Sequence, residues 1–326
     1  MHMRKILVIN RLGIGDVVLS TPLAQVIKET VSTQVGFMVA QKAVDVVTNH
    51  PYIDEVFSYH RSSKKMILQQ IKDKSYTEAL ILDERLTSTL LAWQAGCKAI
   101  NKGFEISIGA KRLFSGKQLN ERADLHYTSY IRYLDKHADV PEYLPTMGCI
   151  DTAGEEKINT WIYKNNVAAK KLVLVTARGL SDNKNWPPEH FTALNDYLNK
   201  QGIVPVYLGA KQDADYIESI SGTKINAAGD FSLREVVVLA KYASLCITLC
   251  TGTMHIITAA NIPIIALYGP TSPLRWAPKH ADVLQADLPC VPCERLDCTN
   301  TVYKQCMQII TPQQVIAKIE AEGWLK

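Results

Sequence analysis

Short, uninterrupted apolar runs recur along the chain, each followed by a longer stretch of helical periodicity. This alternation restricts the fold more than any other feature of the sequence. Lys5–Ile9, Val35–Val39 and Ala79–Asp83 read as strands. Asp16–Thr30, Gln41–Asn49, Lys64–Lys74 and Leu86–Gln94 read as the helices between and after them. A strand with one wet face alternates apolar and polar residues; a strand that is apolar throughout must be covered on both faces. Such strands interleaved with helices predict a parallel sheet.

The pattern then restarts. Pro141–Gly154 is rich in Pro, Gly and polar residues, and a helix at Glu155–Asn165 completes the first unit. Leu172–Ala177, Ile203–Leu208, Leu245–Leu249 and Ile264–Tyr268 read as a second set of strands. Phe191–Lys200, Ala214–Ser219, Leu233–Lys241 and Met254–Ala260 read as their helices, with a last helix at Pro312–Glu322. The expected fold is α/β, two Rossmann-like domains with parallel sheets, spanning residues 1–168 and 169–326. A chain of 326 residues is long enough for two such cores.

Composition narrows the class. Hydrophobic residues make up 47%, and no apolar run reaches the roughly 18–20 residues that a membrane span needs. The apolar run Ile6–Ile9 is too short for a signal-peptide core, so a cytoplasmic protein is expected. The net charge of +4 gives no reason to expect nucleic acid. Charge is nonetheless uneven. Arg61–Lys74 carries five basic residues and one acid, and Lys98–Arg122 six basic residues and two acids. These stretches fit either solvated helix faces or contact with an anionic partner, such as a phosphorylated glycolipid presented at the inner membrane.

In a parallel α/β fold, ligands bind where strands end and helices begin. Leu12-Gly13-Ile14-Gly15-Asp16 occupies that place after the first strand. Its glycines allow a sharp turn and a close approach by a ligand, and the helix start presents N–H groups. A dinucleotide fingerprint requires a third glycine where Val18 stands, and an acid after the second strand, where the chain reads Val39-Ala40-Gln41. A nicotinamide enzyme is thereby disfavoured. Asp16 fits two roles: a helix N-cap, or a general base that takes a proton from an acceptor hydroxyl.

The second half carries further edge loops. Lys184, in Asn183-Lys184-Asn185-Trp186-Pro187, is placed to bind a diphosphate or simply to face solvent. Cys250-Thr251-Gly252-Thr253-Met254-His255 joins a strand to a helix and forms an anion cradle of hydroxyls and N–H groups. His255 suits either ligand contact or loop support. Asp213 suits ribose hydroxyls or a solvated loop, and Tyr268-Gly269-Pro270-Thr271 is another edge loop.

Together these motifs resemble glycosyltransferase family 9, the lipopolysaccharide heptosyltransferase family. The resemblance runs through Arg11-Leu-Gly-Ile-Gly-Asp16 with Ser20-Thr21-Pro22, Lys184-Asn-Trp-Pro187, Thr251-Gly-Thr-Met-His255, Gly269-Pro-Thr271 and a tail with Cys290-x-x-Cys293, Cys298 and Cys306-Met307. It implies a GT-B fold whose two sheets face a central cleft, with acceptor held by the first domain and donor by the second. It implies inverting transfer of heptose from ADP-heptose to a lipopolysaccharide core acceptor, with Asp16 as general base. Lys184, Thr251, Gly252, Thr253 and His255, with Cys250 and Asp213, are then donor-site candidates. Gly13, Gly15, Lys64, Arg85, Lys111 and Arg112 are acceptor-site candidates. One position departs from the family pattern: Cys250 stands where an aspartate usually precedes Thr-Gly, and a thiol is a poor acceptor for sugar hydroxyls. A different nucleotide-sugar or a non-lipid acceptor, and a non-catalytic nucleotide-binding protein, are the alternatives.

Cys290, Cys293, Cys298 and Cys306 fall within 17 residues. They suit a structural zinc or iron site, unmetallated thiols, or disulfides. No cofactor is expected at the reaction itself, because Lys184 and helix N-termini supply positive charge.

Overall fold

The computed structural model describes residues 4–31, 33–102, 121–168 and 170–325, and the backbone of 106–108 and 111–113. The chain divides into two compact units, Met1–Cys149 and Ile150–Lys326.

The first unit runs β1 (Lys5–Asn10), α1 (Ile14–Val31), β2 (Gln34–Ala40), α2 (Val44–Val47), β3 (Glu55–Tyr59), α3 (Lys64–Lys74), β4 (Glu78–Ile81), α4 (Leu86–Gln94) and β5 (Lys98–Ile100). A two-stranded antiparallel piece, β6 (Ile106–Ile108) and β7 (Lys111–Leu113), precedes α5 (Ala123–Thr128). The main sheet has the order β3-β2-β1-β4-β5, and all its pairings are parallel. Ile6, Leu7, Val8 and Ile9 of β1 are fully buried because helices cover both faces of the sheet.

The second unit begins with α6 (Thr152–Lys164) and β8 (Leu172–Thr176). It continues through α7 (Pro188–Lys200), β9 (Val204–Leu208), α8 (Ala214–Ser219), β10 (Ile225–Asn226), α9 (Leu233–Ala240) and β11 (Ala243–Leu249). It ends with α10 (Gly252–Thr258), β12 (Ile264–Tyr268), α11 (Pro273–Trp276), β13 (Ala281–Gln285), α12 (Gln305–Gln308) and α13 (Pro312–Glu322). Its sheet is β10-β9-β8-β11-β12-β13, again parallel throughout. In both sheets the first strand lies inside, and the chain extends first to one side and then to the other. The strand order therefore reverses between β1 and β4, and between β8 and β11. At such a switch point the loops diverge and leave a crevice at the strand ends.

Two expectations change. The helix at 152–164 belongs to the second unit and not to a first domain ending at 168. Lys157 Nζ pairs with Glu235 Oε2 at 2.8 Å, Trp161 Nε1 donates to Asp230 Oδ2 at 3.0 Å, and the Trp161 ring meets Phe231 edge-on. Gln41–Asn49 is a 3-10 turn followed by the single turn of α2 rather than one helix. No helix among the described residues is long and apolar enough to cross a membrane.

Local signals set the helix ends. Ser232 and Glu235 form a capping box at α9, as Thr311 and Gln314 do at α13, which Gly323 ends in the left-handed conformation. Pro188 occupies the first turn of α7, where its missing N–H costs nothing. Just before it, Trp186 is fully buried, packs edge-on against Phe191, and donates from Nε1 to Ile310 O at 2.6 Å. That one side chain pins the loop after β8 to the segment before α13. Trp186→Ala is expected to destabilise the protein by about 3–5 kcal/mol through a cavity and an orphaned carbonyl. Urea unfolding followed by far-UV circular dichroism measures this.

Candidate active site

At the end of β1 the backbone is held by side chains rather than by a ladder. Asn10 Nδ2 donates to Asp16 O and Ser20 Oγ, each at 3.1 Å, and Asn10 Oδ1 accepts the Leu12 N–H at 3.3 Å. Arg11 turns inward. Its Nε pairs with Asp83 Oδ2 at 3.0 Å, and its guanidinium stacks over the Tyr59 ring at 4.3 Å. Asp83, just past β4, also accepts from Ser88 Oγ at 2.7 Å and from the Arg85 N–H at 3.2 Å. Both partners of the Arg11–Asp83 pair are buried, so the loops on the two sides of the switch point are bound by a pair that is costly to break.

Asp16 sits in this frame, in the first turn of α1 and not at its N-cap. Its Oδ2 accepts the Gly13 N–H at 3.2 Å, and its Oδ1 accepts the Tyr127 hydroxyl at 2.8 Å. A Cβ at Gly13 would stand 3.1 Å from Asp16 Oδ2, so the glycine makes room for the carboxylate. Tyr127 comes from α5, more than a hundred residues away, and nothing in the sequence marks it. Arg85 joins the cluster weakly, Nη1 donating to Arg11 O at 3.5 Å. Lys64 opens α3 in solvent; among the described residues no hydrogen bond or ion pair ties it to Asp16. Gly15 lies in the first turn of α1. The side chains of Lys111 and Arg112 lie outside the described residues.

Deeper in the same unit, Glu84 takes a positive φ of 51° and its Oε1 meets His126 Nε2 at 3.0 Å. Lys102 Nζ donates to His126 O at 3.1 Å and lies over the Tyr130 ring, and burial lowers its pKa to about 8.

In the second unit Lys184 ends the 3-10 turn Asp182–Lys184 after β8. Its charge acts on two groups across the switch point. Burial raises the Cys250 thiol, and Lys184, Thr271 and Tyr268 pull it back down. Burial lowers the His255 imidazole to about 4, with Lys184 adding in the same direction. Lys184, Cys250, Tyr268, Thr271 and His255 thus form one cluster around the β8–β11 switch point. Among the described residues, His255 Nδ1 and Thr271 Oγ1 are buried with no nitrogen or oxygen partner; the weakly bonding Cys250 thiol is the neighbour of Thr271. Buried polar atoms of this kind gain a hydrogen bond when a polar ligand reaches them. Thr251 caps α10, its Oγ1 accepting the Met254 N–H at 3.3 Å, with Gly252 and Thr253 in the first turn. Asp213 turns its carboxylate to its own loop, where Oδ2 accepts the Ala210 N–H at 2.9 Å.

The cysteine tail packs under this cluster. Glu294 donates its N–H to Pro270 O and accepts the Ser272 N–H on Oε1, both at 2.7 Å. Asn183 Nδ2 donates to Arg295 O at 2.9 Å. Gly269 lies so close to Met307 and Cys306 that a Cβ would meet their sulfurs at 2.5 and 3.0 Å. Cys290, Cys293, Cys298 and Cys306 line a cavity of about 250 Å³. Their chemistry suits zinc or iron. Burial raises the Cys306 thiol, and Cys290, Cys293 and Cys298, near enough to act on it, add to that rise. Among the described residues no group of three Cys, His, Asp or Glu side chains stands already gathered for an ion. Cys290 Sγ accepts from Asn300 at 3.0 Å and Cys298 Sγ from the Lys304 N–H at 3.2 Å. No disulfide joins them.

Two α/β units, each built on a wholly parallel main sheet, are the architecture of the GT-B class of glycosyltransferase. A solved glycosyl transferase family 9 protein from Veillonella parvula superposes with a TM-score of 0.80 at 19% identity, covering 100% of this chain and 98% of that one. ADP-heptose lps heptosyltransferase II of Escherichia coli gives 0.76 at 20% identity, covering 98% of each chain. In sequence, lipopolysaccharide heptosyltransferase 1 of Campylobacter coli is 25% identical over 298 residues, 84% of this chain and 86% of that protein. The family model for glycosyltransferase family 9 (heptosyltransferase) matches residues 65–304, and the chain belongs to that family.

The buried His255 ties stability to pH. Its pKa of about 4 lies below the ordinary value of an unfolded histidine, near 6.5. Above that value both states are neutral and nothing is lost. As pH falls from about 6.5 to about 4, the unfolded state takes up a proton that the folded state refuses, and stability declines by roughly 3 kcal/mol in full. His50, whose Nε2 lies 2.9 Å from Thr146 Oγ1, is lowered to about 4 by burial as well and adds the same loss in the first unit. His255→Asn is expected to flatten the pH dependence of the second unit's unfolding between pH 4 and 6.5, measured by urea titration at each pH.

Proposed function

We propose that this glycosyltransferase moves a heptose from an ADP-heptose to a hydroxyl of a lipopolysaccharide core acceptor, with inversion and with Asp16 as general base. The single observation that carries the mechanism is the carboxylate of Asp16, held at one oxygen by the Gly13 N–H and at the other by Tyr127 beside the β1–β4 switch point. The names of the relatives support the substrate class. As the acceptor oxygen attacks the anomeric carbon, its proton passes to Asp16, the new C–O bond forms, and the bond to the diphosphate oxygen breaks on the opposite face. ADP leaves with the bonding pair. Lys184 and the N–H groups at the start of α10 take up the charge that develops on it, so the step requires no metal at the diphosphate. His255 offers its buried Nδ1 to the donor, and Thr271 its hydroxyl beside the Cys250 thiol.

Cys250 supports a second reading of the donor. A neutral thiol, raised by burial, stands beside Lys184 in the position of the family's usual aspartate, so the sugar itself loses a strong acceptor for its hydroxyls. A nucleotide-sugar other than ADP-heptose fits that change.

A mass-spectrometric transfer assay tests both. It offers ADP-heptose and a panel of other nucleotide-sugars to a heptose-deficient core lipid. Heptose transfer by the wild type, reduced at least about a hundredfold in Asp16→Asn with ADP still bound, is the expected result. Transfer only from another donor selects the second reading. Equal turnover by Asp16→Asn removes the base assignment. ADP binding with no transfer from any donor points to another acceptor or to a non-catalytic role.

A further inference from the structure

Helix α4 has two apolar faces. Leu91 and Ala92 point into the core shared with Ile67 and Ile71 of α3. Leu86, Leu90 and Trp93, spaced i, i+4 and i+7, point the other way and are 56%, 45% and 71% exposed. The helix carries no charged residue, so nothing on it offsets that outer stripe. A helix apolar on both sides belongs in a setting where both sides are covered, and water covers only one of these badly.

The surroundings indicate what covers it. Helix α3 packs beside α4 on the same face of the sheet. Its first turn exposes Met66, at 58%, together with Lys64 and Lys65, and Arg61 lies just before it. Arg85 sits at the start of α4 itself. Among the described residues none of these four cations forms an ion pair. An apolar stripe about 10 Å long, ending in a tryptophan and rimmed by unpaired cations, has the pattern of a surface that enters the headgroup region of a bilayer.

We propose that the α3–α4 face of the first unit docks on an anionic lipid surface. Leu86, Leu90, Trp93 and Met66 enter the headgroup–acyl boundary, and Arg61, Lys64, Lys65 and Arg85 meet the lipid phosphates. The apolar stripe supplies the anchor, and the cations select the charge of the membrane. One signal alone gives marginal binding, and the two together give a reversible contact that salt weakens. The inference stands on the surface and not on the sugar chemistry, so its test uses neither donor nor acceptor.

Co-sedimentation with phosphatidylglycerol vesicles and with phosphatidylcholine vesicles tests it. The wild-type chain is expected to pellet with the anionic vesicles and not with the neutral ones, and to be released by salt. Arg61→Gln and Lys65→Gln are each expected to weaken binding about fivefold. The Leu90→Ser/Trp93→Ser double variant is expected to lose it, while Trp93→Phe keeps it, all with an unchanged unfolding midpoint. Equal binding to both vesicle types, or a double variant that pellets like wild type, overturns the proposal. So does a concentration-dependent dimer in sedimentation velocity that the double variant abolishes without any vesicle binding, because the stripe would then cover a second copy of the chain.

Discussion

A strand buried on both faces has no wet side on which to turn back. Its chain must leave at one end, cross a face of the sheet as a helix, and re-enter at the other end. In both units this rule sends every strand of the main sheet the same way and gathers the outgoing loops at one edge. The loops there lack ladder partners, and single polar side chains supply them. Asn10 holds Leu12, Asp83 holds Arg85, Asn185 holds Gly179, Asp213 holds Ala210 and Glu294 holds Ser272. The hydrophobic sheet decides where the site is; these short polar reaches decide its shape.

The central strands were legible because they are apolar without interruption: β1, β8 and β12 fall within a residue of the expected limits, and β11 starts two residues earlier than expected. The edge strands were not. β3 reads Glu-Val-Phe-Ser-Tyr and β13 reads Ala-Asp-Val-Leu-Gln; each has one neighbour and a half-wet surface, so neither shows the pattern that marks the interior. The boundary between the units was misread for a related reason. α6 follows the polar stretch closely, and only its contacts, Lys157 with Glu235 and Trp161 with Asp230, reveal which core it serves.

At the site the same division holds. Asp16 and His255 in the first turns of helices, Lys184 in its 3-10 turn and Cys250 just past β11 stand at strand-to-helix junctions that local sequence marks, and Cys250 and His255 are near enough to Lys184 to feel its charge. Tyr127 was invisible, because a tyrosine in a short helix carries no local sign that its hydroxyl ends on a carboxylate from the other end of the unit. The inward turn of Arg11 was hidden too, since its partner Asp83 follows a different strand. Asp213 stands in another of these edge loops, where its Oδ2 accepts the Ala210 N–H beside it.

The tail meets the second unit's loops at several places, among them Asn183 with Arg295, Asp182 with Lys304, Pro270 and Ser272 with Glu294, Gly269 with Cys306 and Met307, and Trp186 with Ile310. The polar joints are single hydrogen bonds or ion pairs, while Trp186, Cys306, Met307 and Ile310 share one buried apolar cluster. Residues 288–311 and the loops at 177–187 and 269–272 therefore form a single heritable block. A recombination crossover that falls between them brings together a loop from one parent and a tail from another, and the sulfur atoms of Cys306 and Met307 then require a glycine at 269 in whichever sequence supplies it.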